Sequence, residues 1–237
     1  MQKNLSKNLS LIEKYRPKTL NNIVGQDIII NLLKRILNNC KKNKESVIPN
    51  FLFYGLPGTG KTTTILAFCY ELYGPLFLKE RVLELNASCN NGIDDIRKYI
   101  IPFTKIRLCD SENFIKEDKR EQYFKKYPVP PYKFIILDEA DSLSNEAQAS
   151  LRKVLEESQN TRFCIICNYF DKIIKPIVSR CIFLNFVPIN IKAANKRLEY
   201  IIKKENLNIN KQEILDSYYK YNGDLRYIIN IIQEIEN

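Results

Sequence analysis

The sequence predicts an α/β fold, in which a parallel sheet is flanked by helices, followed by a small all-helical domain. Three observations predict it: short apolar runs alternate with helical patterns, a glycine-rich loop follows the first run, and the pattern becomes wholly helical after about residue 187. Strands that alternate with helices pair in parallel and are covered on both faces. With 237 residues, 45% of them apolar, the chain can form one large domain or two ordinary ones.

The apolar runs locate the strands. They are FLFY (51–54), VLEL (82–85), FIIL (134–137), FCIIC (163–167) and CIFLNF (181–186). A helix is predicted to begin after Ser144, a good N-cap residue, in SNEAQASLRKVLEES. Its core-facing residues are Ala147, Leu151, Val154 and Leu155. Residues 107–131 are charged and then proline-rich, which predicts an exposed insertion before the third strand.

Two further helices are predicted after the last strand. The apolar residues that share their faces are Ala194, Leu198, Ile201 and Ile202 in one, and Leu225, Ile228, Ile229 and Ile232 in the other. The boundary is placed at Val187-Pro188, because a residue that precedes proline is pushed out of helical conformation. The sequence therefore predicts two domains, residues 1–187 and 188–237.

The formal net charge of +10 favours an anionic partner, nucleic acid first, although a lysine-rich solvated surface gives the same number. The seven cysteines are odd in number and scattered, which is typical of reduced thiols. Cys164-x-x-Cys167 has no second CxxC motif and the chain has no histidine, so a zinc site lacks plausible partners and a His-dependent catalytic triad is excluded. With neither a secretory leader nor an apolar run of membrane-spanning length, we expect a soluble intracellular protein without membrane contact.

The stretch FLFYGLPGTGKTTTI (51–65) predicts a nucleotide site. Gly55 to Thr62 satisfy the pattern GxxxxGK[ST], with a strand before it and a helix after it. Glycines let backbone N–H groups surround phosphate oxygens, and the positive end of the helix points at the same anion. Lys61 is expected to neutralise the β- and γ-phosphates of ATP, and the Thr62 hydroxyl to ligate Mg²⁺.

Two acids after the third strand are candidates for the metal ligand and the water-polarising group that hydrolysis needs. In FIILDEAD (134–141), Asp138 and Glu139 come at the carboxyl end of a strand, where α/β sheets bind ligands. We expect Asp138 to hold Mg²⁺, directly or through water, and Glu139 to polarise the attacking water. Asn168, after RFCIIC, either hydrogen-bonds the γ-phosphate or the water, or is an ordinary turn residue.

With these motifs the sequence resembles the AAA+ ATPases, and within them the small ATP-binding subunits of replication factor C, the sliding-clamp loader. The resemblance covers residues 11–235. It rests on EKYRPKTLNNIVGQ (13–26), GLPGTGKTTTI (55–65), RVLELNAS (81–88), LDEADSLS (137–144), TRFCIICN (161–168), KIIKPIVSRC (172–181) and NGDLRYIIN (222–230). RVLELNAS, TRFCIICNY and the insertion before PPYKF are most similar to the subunits numbered fourth in the human naming.

The resemblance implies roles for further residues. EKYRP and IVGQ flank the adenine in such proteins, Asn168 matches the sensor-1 position, and Arg226 matches the sensor-2 position of the helical lid, which contacts the γ-phosphate. Arg180 matches the arginine finger, which acts on the ATP of the neighbouring subunit, whereas the residues alone favour a surface salt bridge. The implied catalytic residues are Lys61, Glu139, Asn168 and Arg180. The implied nucleotide-binding residues are Tyr15, Arg16, Pro17, Val24, Gly25, Gly55, Pro57, Gly58, Thr59, Gly60, Lys61, Thr62, Thr63, Asn168 and Arg226.

By the same resemblance the chain is an ATP- and Mg²⁺-dependent ATPase of a nuclear heteropentamer of replication factor C subunits. Such complexes open the ring-shaped clamp PCNA and load it onto primer–template DNA for replication and repair. Arg97 and Lys98 are the candidates for contact with DNA phosphates, or they are ordinary exposed charges. Two other classes stay open: a structural subunit that mainly supplies Arg180 to its neighbour, and another AAA+ DNA machine.

Three departures from the resemblance are expected to matter. Leu11-Ile12 replace a tryptophan that is usual before the EKYRP phrase. Cys89 and Asn91 replace an acid and a basic residue, which predicts that hydrolysis by this subunit responds less to DNA. The C-terminal helical collar expected for the family is absent from these 237 residues.

Overall fold

The computed structural model describes residues 10–88, 94, 96–108, 115–207, 211–221 and 223–236, and leaves out the side chains of residues 211–215 and 235–236. The predicted effects of Cys89 and Asn91 concern residues outside this set. None of the described helices combines the length and the apolar composition that crossing a membrane requires.

Five strands form one parallel sheet. They are β1 (Asn50–Gly55), β2 (Val82–Asn86), β3 (Lys133–Asp138), β4 (Thr161–Cys167) and β5 (Cys181–Phe186), in the order β2-β3-β4-β1-β5. All five predicted strands are confirmed within one or two residues at each end. Because the strands are parallel, their carboxyl ends share one edge of the sheet, where Asn86 lies opposite Asp138 and Tyr54 opposite Cys167.

Ten α-helices accompany the sheet in the described part of the chain. They are α1 (Leu11–Lys14), α2 (Asp27–Lys42), α3 (Lys61–Arg81), α4 (Ile101–Lys105), α5 (Glu117–Lys126), α6 (Asn145–Glu157), α7 (Lys175–Val178), α8 (Ile191–Glu205), α9 (Lys211–Lys220) and α10 (Leu225–Glu236). A π-helical segment (Ile96–Ile100) leads into α4, and short 3₁₀ turns occupy Leu20–Asn22, Ala140–Ser142 and Phe170–Lys172. The predicted cap of α6 is confirmed, since the Ser144 hydroxyl accepts a hydrogen bond from the Ala147 N–H at 3.2 Å.

The two faces of the sheet bury separate cores. Alternate strand residues point to opposite faces, so Phe51 and Phe134 pack with α2 and α3 while Leu52 packs with α6. Cys164 lies in the first core and Cys167 in the second, both as buried free thiols. The two cysteines are therefore strand residues, as predicted, and the described residues contain no cluster of three side chains suited to a metal ion.

The helical region after β5 has a third core. The predicted faces of α8 and α10 are confirmed, since Leu198, Ile201, Ile228 and Ile232 are buried. Leu11 of the N-terminal helix α1 is buried in the same cluster. The predicted first domain, residues 1–187, includes α1. The packing of α1 with the lid, by which we mean residues 188–236, is not predicted from the sequence.

The prediction of an exposed insertion at 107–131 is wrong for its second half. Residues Glu117–Lys126 form a helix whose charged side chains, apart from Arg120, are exposed, but Tyr127 and Val129 are buried in the first core. The attachment point is the kink of α3 at Gly74-Pro75, where Gly74 has φ 64°. The Tyr123 hydroxyl donates to the Tyr73 carbonyl at 2.8 Å and accepts from the Leu76 N–H at 3.2 Å, so it pairs backbone groups that the kink leaves open.

We expect Tyr123→Phe to lower the free energy of unfolding by about 1 kcal/mol, because it removes the hydroxyl that pairs these two backbone groups. Urea denaturation of the whole chain measures the change. Tyr219→Phe is the matched control, since Tyr219 is 69% exposed on α9. Equal stability of the two variants would show that the hydroxyl does not fasten α5 to the kink.

Candidate nucleotide-binding site

The loop Gly55 to Gly60 connects β1 to α3 and requires glycine at defined positions. Gly58 and Gly60 have φ of 73° and 93°, in the left-handed region that favours glycine. A side chain at Gly58 would also collide with the Asp224 carboxylate of the lid. Gly60 is the N-cap of α3, so the exposed N–H groups of the first turn of that helix face the loop.

Lys61, the first residue of α3, is held by three oxygen atoms. Its Nζ donates to the carbonyls of Gly55 and Leu56 at 2.8 and 2.9 Å and to Asn168 Oδ1 at 2.9 Å. Burial lowers the pKa of Lys61, and the nearby Asp138 carboxylate opposes that shift. The ends of β1 and β4 therefore meet at one cation, as the parallel sheet predicts.

Thr62 and Asp138 meet beside it. The Thr62 hydroxyl donates to Asp138 Oδ2 at 2.6 Å, which joins the start of α3 to the end of β3. A hydroxyl and a carboxylate are hard oxygen ligands, and Mg²⁺ takes one or two such groups while phosphates and water fill its other positions. The chemistry of the pair fits Mg²⁺, and the assignment of Thr62 and Asp138 as metal ligands stays a prediction.

Glu139 follows Asp138 in a left-handed conformation with φ of 54°, which is uncommon for a residue other than glycine and is typical of functional sites. Its side chain is exposed, and its Oε1 accepts a hydrogen bond from Asn86 Nδ2 at 3.3 Å. Asp138 Oδ1 accepts from the Glu139 N–H at 2.9 Å. Sequence reasoning missed Asn86, although it ends β2 directly opposite Asp138.

Asn168 is oriented by a second acid of the DEAD phrase. Asp141 Oδ2 accepts hydrogen bonds from the N–H groups of Asn168 and Tyr169, at 3.2 and 3.1 Å. Asn168 is thus a turn residue whose amide oxygen is turned towards Lys61. The interpretation as a turn residue describes this geometry, and a hydrogen bond from Asn168 to the γ-phosphate or the water stays a prediction.

A cavity beside the loop lies between the N-terminal segment and the lid. Its lining includes most of the residues that the resemblance assigns to the nucleotide: Tyr15, Arg16, Pro17, Val24, Gly58, Thr59, Gly60, Thr63 and Arg226. Gly25 lies behind it, where a Cβ would come within 2.9 Å of Ile189 Cγ2. Gln26, the last residue of the IVGQ phrase, is buried and donates to the Thr59 and Val187 carbonyls at 3.2 and 2.7 Å. The cavity adjoins the loop, since Gly58, Thr59 and Gly60 line it, and its occupation by a nucleoside stays a prediction.

Arg226 enters the cavity from the first turn of α10. The Asp224 side chain accepts from the N–H groups of Arg226 and Tyr227, at 2.9 and 3.2 Å, and so caps this helix beside the loop. Sequence reasoning missed Asp224, although an aspartate directly before a helical pattern is a recognisable cap signal.

Arg180 lies outside this cluster, just before β5. Its Nη2 is 2.6 Å from Glu156 Oε1, and its Nη1 donates to the Pro176 carbonyl at 2.6 Å. In the isolated chain Arg180 forms the surface salt bridge that its sequence context favours. Its predicted action on a neighbouring subunit stays a prediction.

The predicted DNA-contacting residues lie on the π-helical segment. Arg97 is exposed and its Nη1 lies 4.0 Å from Asp94, while Lys98 Nζ lies 5.2 Å from the centre of the Tyr99 ring. Such exposed contacts constrain the side chains weakly, so the charges are accessible to a partner. Contact with DNA stays a prediction.

Comparison with known proteins shows the family. Residues 51–189 match the model of the "ATPase family associated with various cellular activities (AAA)". The chain is similar to "Replication factor C subunit 4" of Homo sapiens, with 43% identity over 223 residues, which are 94% of this chain and 57% of the human protein. It is also similar to "Replication factor C subunit 2" of Saccharomyces cerevisiae, with 43% identity over 226 residues, 94% of this chain and 59% of that protein. The chain thus spans less than two thirds of the length of these relatives.

Solved structures agree on the fold. The structure of one RuvB mutant from Thermotoga maritima superimposes with a TM-score of 0.68 at 16% identity, and the match covers 93% of this chain and 65% of that one. A second mutant of the same protein has a TM-score of 0.61, and that match covers 93% of this chain and 73% of the other. At this identity the likeness concerns the fold alone, and it confirms the predicted arrangement of a parallel sheet flanked by helices.

Proposed function

The chain belongs to the AAA family of ATPases, and from this membership and its similarity to replication factor C subunits we propose that it binds and hydrolyses ATP within a clamp loader. One observation carries the proposal. Lys61 and Thr62, at the start of one helix, are hydrogen-bonded to Asn168 and Asp138, which come from the ends of two other strands. Four side chains from three elements of the fold are thereby arranged around the place where a triphosphate would lie on the loop.

Binding exchanges the internal partners of the loop for those of the ligand. The backbone N–H groups of Gly58 to Lys61 donate to phosphate oxygens, and Lys61 moves its hydrogen bonds from backbone carbonyls to the β- and γ-phosphates. Thr62 and Asp138 would hold Mg²⁺, which when bound would neutralise further phosphate charge. The base and ribose occupy the cavity between Tyr15 and the lid, and Arg226 reaches the γ-phosphate from the lid.

Hydrolysis needs a water molecule in line with the γ-phosphate. The Glu139 carboxylate accepts a hydrogen bond from this water, and Asn168 orients either the water or a γ-phosphate oxygen. Both groups follow strand ends, so their positions are set by the rigid sheet rather than by a loop. The remaining positive charge comes from an arginine of another subunit.

We expect Arg180→Ala to lower ATP turnover of the assembled complex at the neighbouring site, while the chain's own affinity for ATP stays unchanged. A guanidinium that stabilises the charge of a transferred phosphoryl group is worth about 10³–10⁵ in rate in some NTPases. Titration of the isolated chain with ATP measures the affinity, and phosphate release by the complex measures turnover. Lys192→Ala, an exposed charge on α8, is the control.

The same reasoning predicts slow hydrolysis by the isolated chain, because the arginine for its own site comes from elsewhere. Brisk turnover by the chain alone, unaffected by Arg180→Ala, would contradict the proposed role of Arg180. The Arg180–Glu156 contact must open when Arg180 reaches a neighbour, and an exposed ion pair of this kind offers little resistance.

The proposed complex is a heteropentamer of replication factor C subunits that loads PCNA onto primer–template DNA in the nucleus, for replication and repair. The net charge of +10 supports a partner that carries phosphates, and Arg97 and Lys98 are the proposed contacts. The test is co-purification with the other subunits, followed by ATPase assays with and without DNA and PCNA. A chain that binds ATP but joins no such complex, and whose ATPase ignores PCNA, would instead belong to another AAA+ DNA machine.

A further inference from the structure

The N-terminal helix is fastened to the lid rather than to the sheet. Leu11 is 5% exposed and packs in the lid core with Leu198 and Ile228. Its N–H donates to Gln233 Oε1 on α10 at 2.9 Å, across 222 residues of sequence. The start of the N-terminal segment is therefore packed into the lid core.

Tyr15, which follows α1, is hydrogen-bonded to the lid helix α8 through both its hydroxyl and its backbone carbonyl. Its hydroxyl donates to Glu205 Oε1, and its carbonyl accepts from Arg197 Nη2. Between these ties the Tyr15 ring meets the edge of Tyr200, with ring centroids 6.1 Å apart and an interplanar angle of 86°. The backbone and the ring of Tyr15 are both fixed.

Glu205, the last residue of α8, is the centre of this connection. Lys14 Nζ lies 2.6 Å from Glu205 Oε1 and 2.8 Å from Oε2, so the carboxylate holds two consecutive residues of the N-terminal segment. The hydrogen bonds from Lys14 and Tyr15 lower the pKa of Glu205, so the carboxylate is charged at neutral pH. Its side chain is only 14% exposed, which limits screening by solvent.

The two ties border the cavity described above. Tyr15 and Pro17 of the N-terminal segment line it, and so do Arg197 and Ile229 of the lid and residues 58–60 of the phosphate loop. The contacts between Tyr15 and α8 therefore join two parts of the lining to each other. Glu205 itself does not line the cavity.

We propose that Glu205 is a positioning residue for the nucleoside: it holds Tyr15 on the lid and thereby fixes the part of the lining against which the base and ribose pack. The inference rests on the proposed function of the site. Because Glu205 already holds Tyr15 in place, binding does not have to order this residue. The affinity for the nucleoside part of the ligand is therefore higher than it would be without the contact. The phosphate loop does not depend on this contact.

The test compares MgATP with inorganic tripolyphosphate, which carries the three phosphates without the nucleoside. We expect Glu205→Gln to weaken MgATP binding about ten-fold, the size typical of losing hydrogen bonds to a charged group, and to leave tripolyphosphate binding unchanged. Tyr15→Phe keeps the ring and removes only the hydroxyl. It should act in the same direction, and the double variant should lose less than the two single losses combined. Glu157→Gln, an exposed glutamate on α6, is the control.

Each result decides between a positioning role and general support of the fold. Unchanged MgATP affinity in Glu205→Gln and Tyr15→Phe would overturn the inference. Equal losses for MgATP and tripolyphosphate would overturn it too, because they would indicate a loosened lid that no longer presents Arg226. If Glu205→Gln does not fold, Tyr15→Phe alone gives the comparison. A wild-type chain without affinity for ATP would contradict the proposed function instead, and this inference with it.

Discussion

Lys61→Ala is expected to reduce the affinity for MgATP by at least about 100-fold, the largest loss expected from any single replacement in the binding site. Hydrogen bonds to charged groups contribute about 1.5–3 kcal/mol each, and Lys61 would supply several of them to the β- and γ-phosphates. The ammonium already lies at the site, 2.8 Å from the Gly55 carbonyl and 2.9 Å from Asn168 Oδ1. Isothermal titration with MgATP measures the loss.

The loss of affinity should not come from unfolding. Burial lowers the pKa of Lys61, which means that its charged form is less favourable in the folded than in the unfolded chain. Removing the amine therefore removes a desolvation cost together with three hydrogen bonds, and we expect a small net change in the free energy of unfolding. Lys79→Ala, at the exposed end of the same helix, is the control. Undiminished ATP affinity in Lys61→Ala would contradict a phosphate site at this loop.

The elements that the sequence predicted best are those with a local signal. All five strands were visible as short apolar runs between helical patterns, and the loop from Gly55 to Thr62 carried its own spacing. Parallel pairing then placed Asp138 and Asn168 at the same edge as Lys61, because the carboxyl ends of parallel strands meet. Most of the phosphate end of the candidate site was therefore predictable.

The residues that escaped prediction depend on contacts between distant parts of the chain. Tyr15 was predicted at the site, but Glu205 lies 190 residues away and shows no pattern that would pair it with Tyr15. Gln26 and Asn86 lie in the phrases IVGQ and RVLELNAS, but their partners, the Val187 carbonyl and Glu139, are distant in the sequence. The helix α5 was missed for a similar reason, since its attachment depends on the kink at Gly74 in another helix.

Arg180 illustrates the opposite case, in which geometry and resemblance point to different roles. The isolated chain pairs Arg180 with Glu156, which on its own describes a surface salt bridge. Glu156 also accepts from Arg152 Nε at 2.9 Å, so one carboxylate holds two guanidinium groups at the surface. The proposed action of Arg180 on the ATP of a neighbouring subunit requires that second subunit. Only the assembled complex can therefore test it.

Glu139→Gln is expected to separate hydrolysis from binding. The exchange keeps the size of the side chain and the hydrogen bond to Asn86, but an amide cannot take up a proton from water as a carboxylate can. General-base catalysis contributes about 10²–10⁴ in rate, and we expect a loss of that size in the slow turnover of the isolated chain. Affinity for MgATP should be unchanged, because Lys61, Thr62 and the loop N–H groups remain.

In the assembled complex, Glu139→Gln also distinguishes between two roles for this chain. With Glu139→Gln, phosphate release by the complex should fall by at least the part of the total rate that this site contributes. Glu146→Gln, which replaces an exposed acid in the first turn of α6, should leave the rate unchanged. An unaltered total rate with Glu139→Gln, combined with a reduced rate with Arg180→Ala, would indicate a subunit that binds ATP and serves mainly its neighbour. The conformation of Glu139 argues against that outcome, because a left-handed glutamate at a strand end is a strained arrangement, and such strain clusters at catalytic sites.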